Sequence, residues 1–133
     1  MKEINGGSQM RDLWFLPTVA KWEKSCGKHP TQKTLPLLSR IIMASTKEHA
    51  WILDPFAGSS TTGIAASLLN RRFLGIEQEI KFLKLSKQRR EEIENNKIRT
   101  EYLNKIYKYS DKLISNIFEL NSSETYYGKD LPF

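Results

Sequence analysis

The sequence predicts an α/β layer of parallel strands with flanking helices, followed by a C-terminal amphipathic helix. Three observations lead there. Along residues 35–94 helical and strand-like apolar patterns alternate as helix, strand, helix, strand, helix, an order that implies parallel strands with right-handed crossovers. The first strand segment, Trp51-Ile52-Leu53, is short, apolar on both faces and stops at Asp54-Pro55, which suits a strand buried in a parallel sheet. A run of small residues from Pro55 to Gly63 then separates that strand from the next helix.

Taken in order, residues 1–12 are polar, contain Gly6-Gly7 and read as a flexible lead-in. Leu13 to Lys24 carries Trp14, Phe15, Leu16, Val19 and Trp22, broken by Pro17, and fits either an extended strand or a short helix. Its tryptophans suit packing anchors better than DNA wedges. GKHPTQKT, residues 27–34, is dense in turn formers, and Pro30 blocks helix. From Leu35 to Thr46, Leu37, Leu38, Ile41, Ile42 and Ala44 recur at helical spacing. After the strand and its loop, Ile64, Ala65, Ala66, Leu68 and Leu69 mark a helix over 61–70, whose alanines let it lie close to the sheet. Phe73 to Ile76 reads as the second strand, ending at Glu77. A third helix from Glu79 to Glu94 uses Phe82, Leu83, Leu85 and Ile93, and Asn95-Asn96 breaks it. Beyond the break, Ile98, Tyr102, Ile106, Tyr109, Leu113, Ile117 and Leu120 step by three or four, predicting a long amphipathic helix of about six turns. The final segment, 121–133, reads as irregular.

Length and composition bound the possibilities. The 133 residues fit one small domain. Apolar residues make up 39%, below the roughly 45–50% of an ordinary domain, a shortfall expected if part of the structure sits on another polypeptide. Twenty-one Lys and Arg against fifteen Asp and Glu give a net charge of +6, which suits a polyanionic partner such as DNA and equally a lysine-rich solvated surface. Cys26 is the sole cysteine, so neither an intrachain disulfide nor a thiolate zinc cluster can form, and a reducing compartment is favoured. The N-terminus lacks an apolar signal core, and every apolar run falls far short of the roughly 18 residues of a membrane span; a cytoplasmic location is expected.

The loop carries the chemistry. Small residues at the carboxyl end of a parallel strand let a ligand approach the backbone and offer amide donors at the next helix start, where open α/β sheets bind ligands. Gly58 and Gly63 have the glycine spacing of a phosphate-gripping loop, but Ile64 stands where its lysine belongs. A dinucleotide fingerprint is excluded because the loop has no G-x-G. What remains is an uncharged nucleoside ligand. Glu77, roughly 20 residues after the loop, can take two ribose hydroxyls, and Asp54 can orient an ammonium directly or through water. This pairing fits S-adenosylmethionine (AdoMet). Each acid also has a plainer reading: Asp54 as a turn or capping residue, Glu77 as a solvated charge at a strand end.

Residues 28–77, KHPTQKTLPLLSRIIMASTKEHAWILDPFAGSSTTGIAASLLNRRFLGIE, resemble the permuted, β-type DNA amino-methyltransferases of restriction–modification systems, in which the cofactor segments follow the catalytic segment. The resemblance implies a partial Rossmann-like AdoMet-dependent methyltransferase fold. It places His29, Pro30, Thr31, Gln32 and Lys33 in the segment that closes over the methionine part of AdoMet. Asp54, Pro55, Phe56, Ala57, Gly58 and Ser59 match the cofactor loop, Thr61 and Thr62 open its helix, and Glu77 matches the ribose acid. Two positions depart from the family pattern: Thr34 replaces the usual proline, which loosens the turn, and Ser60 stands where glycine is frequent.

The family's catalytic tetrapeptide, D-P-P-Y or a near relative, is absent, and Asp54-Pro55-Phe56-Ala57 is the cofactor motif instead. The resemblance therefore implies residues 1–26 as the tail of a recognition segment or linker, 27–96 as the AdoMet-binding part, and 97–133 as helix and irregular tail. It implies duplex DNA with a flipped target base as substrate, adenine preferred over cytosine by family frequency, and a second polypeptide or further half carrying catalysis and recognition. The isolated chain is expected to be inactive, with an apolar seam prone to self-association. Two other readings stand beside this one: a truncated module that binds AdoMet or docks a partner without turnover, and an unrelated nucleotide-binding domain.

Overall fold

The computed structural model describes residue 14 and residues 16–108. A short 3-10 helix, Lys21–Lys24, precedes α1 (Leu35–Ser45), β1 (Trp51–Asp54), α2 (Thr61–Leu68), β2 (Arg72–Gly75) and α3 (Ile80–Glu92). A further helix, α4, runs over 96–108. The predicted alternation is therefore present, with each boundary close to its expected place. The ambiguous 13–24 stretch is, where described, chain without regular structure over 16–20 followed by the 3-10 turn. Tyr109, Leu113, Ile117 and Leu120 of the long predicted helix lie outside the described residues, as do the lead-in over 1–12 and the 121–133 tail.

Local chemistry explains the helix limits. Thr34 caps α1 by accepting the Leu37 N–H on its side chain, and Pro36 occupies the first turn, where a missing N–H costs nothing. The threonine expected to loosen this turn instead supplies a cap that proline lacks. At the other end Thr46 donates both its N–H and its hydroxyl to the Ile42 carbonyl. Arg71 then ties this terminus to the next strand, donating through Nε to Thr46 Oγ1 at 3.2 Å and through Nη2 to the Thr46 carbonyl at 2.8 Å.

β1 and β2 pair in parallel, with Ile52 beside Phe73, Leu53 beside Leu74 and Asp54 beside Gly75. α2 crosses between them and packs against α1, α3 and both strands. Ile64, Ala65, Ala66 and Leu68 of α2 join Leu35, Ile42, Ile93, Tyr102 and Ile106 in one core, against which Ile52 and Phe73 pack from the sheet. Gly63 sets the helix-to-sheet distance: a Cβ there would lie 2.6 Å from Phe73 Cε1 and 2.4 Å from Ser60 Oγ.

Two expectations need correction. Leu83 does not pack; it is 41% exposed, and the inward positions of α3 are Leu85 and Arg89, with Ile93 just beyond the helix end. The 3–4 spacing runs 82, 85, 89, 93, and residue 83 falls off that stripe. The first strand is also not buried on both faces. Side chains alternate across a strand, so while Ile52 and Phe73 face the core, Trp51 (66% exposed), Leu53 and Leu74 point the other way. Among the described residues that second face has no covering layer.

Candidate functional site

The loop between β1 and α2 is shaped by hydrogen bonds at both ends. Asp54 closes β1, with Oδ1 accepting the Phe56 N–H at 3.1 Å and Oδ2 accepting the Thr62 hydroxyl at 2.7 Å. The carboxylate thus spans the loop, from its first turn to the first turn of α2. The turn role set beside the ligand role for Asp54 is present in the structure. Ala57 donates to the Ile76 carbonyl, and Ile76 donates to the Asp54 carbonyl, so the backbone pairing continues beyond both strands and fixes the loop against residues 76–77.

Glu77 lies two residues past β2 and reaches back. Its Oε2 accepts the Gly58 N–H and its Oε1 the Glu79 N–H, each at 2.8 Å. These bonds, led by the one from Glu79 and aided by the nearby His29, hold the carboxyl below the usual carboxylate range. Gly58 adopts a left-handed backbone, φ 53°, and a Cβ there would sit 3.2 Å from His29 Nε2. His29 is wedged between this loop and α3, its ring 4.1 Å from that of Phe82. Ser60, the position where glycine is frequent, is itself left-handed at φ 58°. Glycine adopts that conformation without the penalty a side chain brings.

The structure accordingly brings Asp54, Gly58, Thr62, Glu77 and His29 together. Pro55 and Phe56 stand exposed at the loop tip, Phe56 at 89%, while Ala57 packs toward Gly75 and Ser59 and Thr61 are buried. Thr31 joins through its contact with His29 Nδ1. Lys33 is exposed, and no contact ties it to the loop among the described residues.

Sequence reasoning missed two buried charges behind the loop. Arg89 of α3, 4% exposed, places Nη1 2.6 Å from the Ser59 carbonyl, 3.1 Å from Ser59 Oγ and 3.0 Å from Thr61 Oγ1. Glu23, 2% exposed, accepts the Leu35 N–H at 2.6 Å and the Ala20 N–H at 3.2 Å. Burial pushes the Glu23 carboxyl up despite those bonds. The signal for Arg89 was its place on the 82, 85, 89, 93 stripe; Glu23 had none.

With this geometry in view, the family comparison is decisive. The profile of a family described as DNA methylase matches residues 1–88. This chain belongs to that DNA methylase family. Among relatives, it is 61% identical over 93 residues to the type II methyltransferase M2.MboI of Moraxella bovis, covering 70% of this chain and 34% of that protein. It is 56% identical over 91 residues to the type II methyltransferase M2.DpnII of Streptococcus pneumoniae, covering 68% and 34%. The chain therefore spans about a third of the length of the curated relatives it matches. Among solved structures, the M1.HpyAVI–SAM complex is 44% identical with a TM-score of 0.45, over 47% of this chain and 33% of that one. Methylases of this family modify an exocyclic amino group, adenine N6 or cytosine N4.

Proposed function

We propose that this chain is the AdoMet-binding portion of a DNA adenine-N6 methyltransferase of a restriction–modification system, active when completed by a part bearing D-P-P-Y. The observation that carries this reading is the convergence of Asp54 and Glu77 on the Gly58 loop. Among the described residues neither carboxylate is ion-paired to a lysine or arginine. Each Glu77 oxygen accepts one backbone N–H, and an ionised carboxylate has about four acceptor sites, so capacity remains for two ribose hydroxyls. Asp54 supplies a negative charge that could orient an ammonium directly or through water. Exposed Phe56 and Ile76 (54%) offer apolar surface for a purine ring. The residues present fit AdoMet.

When bound, AdoMet supplies the activated methyl group. This chain's own part is placement: Gly58 and Glu77 fix the nucleoside end, Asp54 and the 29–33 segment hold the amino-acid end, and His29 packs the loop from behind. Holding the target amine against the methyl falls to the complementary part. The face of Trp51, Leu53 and Leu74, uncovered among the described residues, supports such a complement, because parallel sheets are covered on both faces. It supports equally a second reading, a non-catalytic AdoMet-binding or partner-docking module, which also predicts AdoMet binding.

Calorimetric titration with AdoMet tests the shared element. The parent chain is expected to bind, and Asp54→Ala and Glu77→Ala to lose binding; a folded parent that does not bind refutes a preformed cofactor site. Adding a D-P-P-Y-bearing polypeptide and a duplex substrate then separates the two readings: methylation only in the mixture supports the enzyme portion, and none supports the module. Methylation by the chain alone would refute both.

A further inference from the structure

The left-handed turn at Ser60 raises the question of what holds it. For a non-glycine residue this conformation costs about 1–2 kcal/mol, so the surroundings must over-determine it. The Ser60 N–H donates to the Ala57 carbonyl at 2.7 Å, and the Ser60 carbonyl accepts the Ile64 N–H at 2.9 Å, which binds the turn to itself and to α2. The external clamp is Arg89. Its Nη1 reaches the residues on either side of Ser60, namely the Ser59 carbonyl and hydroxyl and the Thr61 hydroxyl. Glu23, the other buried charge, makes no ion pair with Arg89 among the described residues. Glu23 in turn holds the segment that carries His29. Its carboxylate accepts from the backbone at Ala20 and Leu35, and its carbonyl accepts the Gln32 side-chain amide at 2.9 Å.

We infer that Arg89 is a positioning residue for the nucleoside site: from α3 it clamps the 59–61 turn and so fixes the loop that presents Gly58 to Glu77. The inference rests on the AdoMet reading for its functional consequence, but the clamp itself is a property of the chain without ligand. Arg89 touches no part of the proposed ligand surface; it acts through Ser59 and Thr61, whose fixed positions present Gly58 to Glu77.

The test uses the full chain and three variants: Arg89→Lys, Arg89→Met, and the paired Glu23→Gln/Arg89→Met. The pair keeps an acceptor for Leu35 while leaving no uncompensated buried charge, so it is the variant expected to stay folded. Amide hydrogen exchange without ligand reads the clamp. In the folded pair, exchange at Gly58 and Ser60, whose N–H groups bond Glu77 Oε2 and the Ala57 carbonyl, is expected to rise about tenfold or more relative to Ala65 and Ala66 in mid-α2. AdoMet affinity is expected to fall about 10–100-fold, the usual cost of losing an orienting partner behind a ligand-contacting group, with Arg89→Lys intermediate. Loop exchange in the folded pair equal to the parent's overturns the inference, as does parent-like AdoMet affinity in a chain whose loop has loosened. If the parent itself binds no AdoMet, the cofactor reading falls, and the exchange comparison still decides the clamp.

Discussion

Replacing Gly63 by alanine tests whether the contact between α2 and β2 is as close as the structure places it. In a helix interior, alanine is favoured over glycine by about 0.5–1 kcal/mol, so open space at this site would make Gly63→Ala stabilising. The space is not open. A Cβ would approach Phe73 Cε1 and Cδ1 to 2.6 and 2.7 Å, and Ser60 Oγ to 2.4 Å. Ser60 could rotate its hydroxyl, but the Phe73 ring fills the space between Gly63 and Gly75, within 2.8 Å of the Cβ position of each. Relief requires α2 to lift from the sheet. Overpacking of this kind costs about 1–3 kcal/mol, and subtracting the helix-propensity gain leaves a net destabilisation of about 0–2.5 kcal/mol, centred near 1 kcal/mol. For a domain of this size, 1 kcal/mol lowers Tm by about 4–8 °C. Thermal and urea denaturation followed by circular dichroism measure it, and Phe73→Leu in the same chain should recover part of the loss. A Gly63→Ala chain more stable than the parent would refute the close helix–sheet approach.

Two further outcomes follow from the same structure. Glu77 and Glu23 shift in opposite directions, so they oppose each other in acid. The folded carboxyl of Glu77 lies below 4.5, so its stabilisation is present above that value and is lost as pH falls through the folded pKa; the folded carboxyl of Glu23 lies above 4.5, so its burial penalty is complete at neutral pH and is relieved as pH falls through that window. Carboxyl-carbon NMR should find Glu77 titrating below Glu23, and the stability gap between parent and Glu77→Gln should narrow in acid; the reverse order would contradict the geometry. On the sheet face left uncovered among the described residues, Trp51→Ser with Leu53→Ser should change stability by only about 1 kcal/mol in total, about 0.5 for each exposed substitution, while reducing concentration-dependent self-association. Sedimentation velocity reads this directly, and unchanged association would show that the face is not the sticky one.

Sequence alone determined what depends on local periodicity and local chemistry. The helix, strand, helix, strand, helix order was legible because apolar spacing records which face of each element turns inward. The loop from Asp54 to Gly63 was legible because few residue types tolerate that turn, and Glu77 because its distance from the loop follows from the length of one crossover helix. Tertiary structure decided the rest. Whether Trp51 and Leu53 are covered depends on layers that the strand's own residues do not encode. Leu83 is exposed and Arg89 is buried because a helix stripe specifies position, whereas burial of a guanidinium requires acceptors, here at Ser59 and Thr61, brought from another part of the chain. The left-handed turn at Ser60 is of the same kind: the residue does not favour it, and only the packed frame around the loop holds it there.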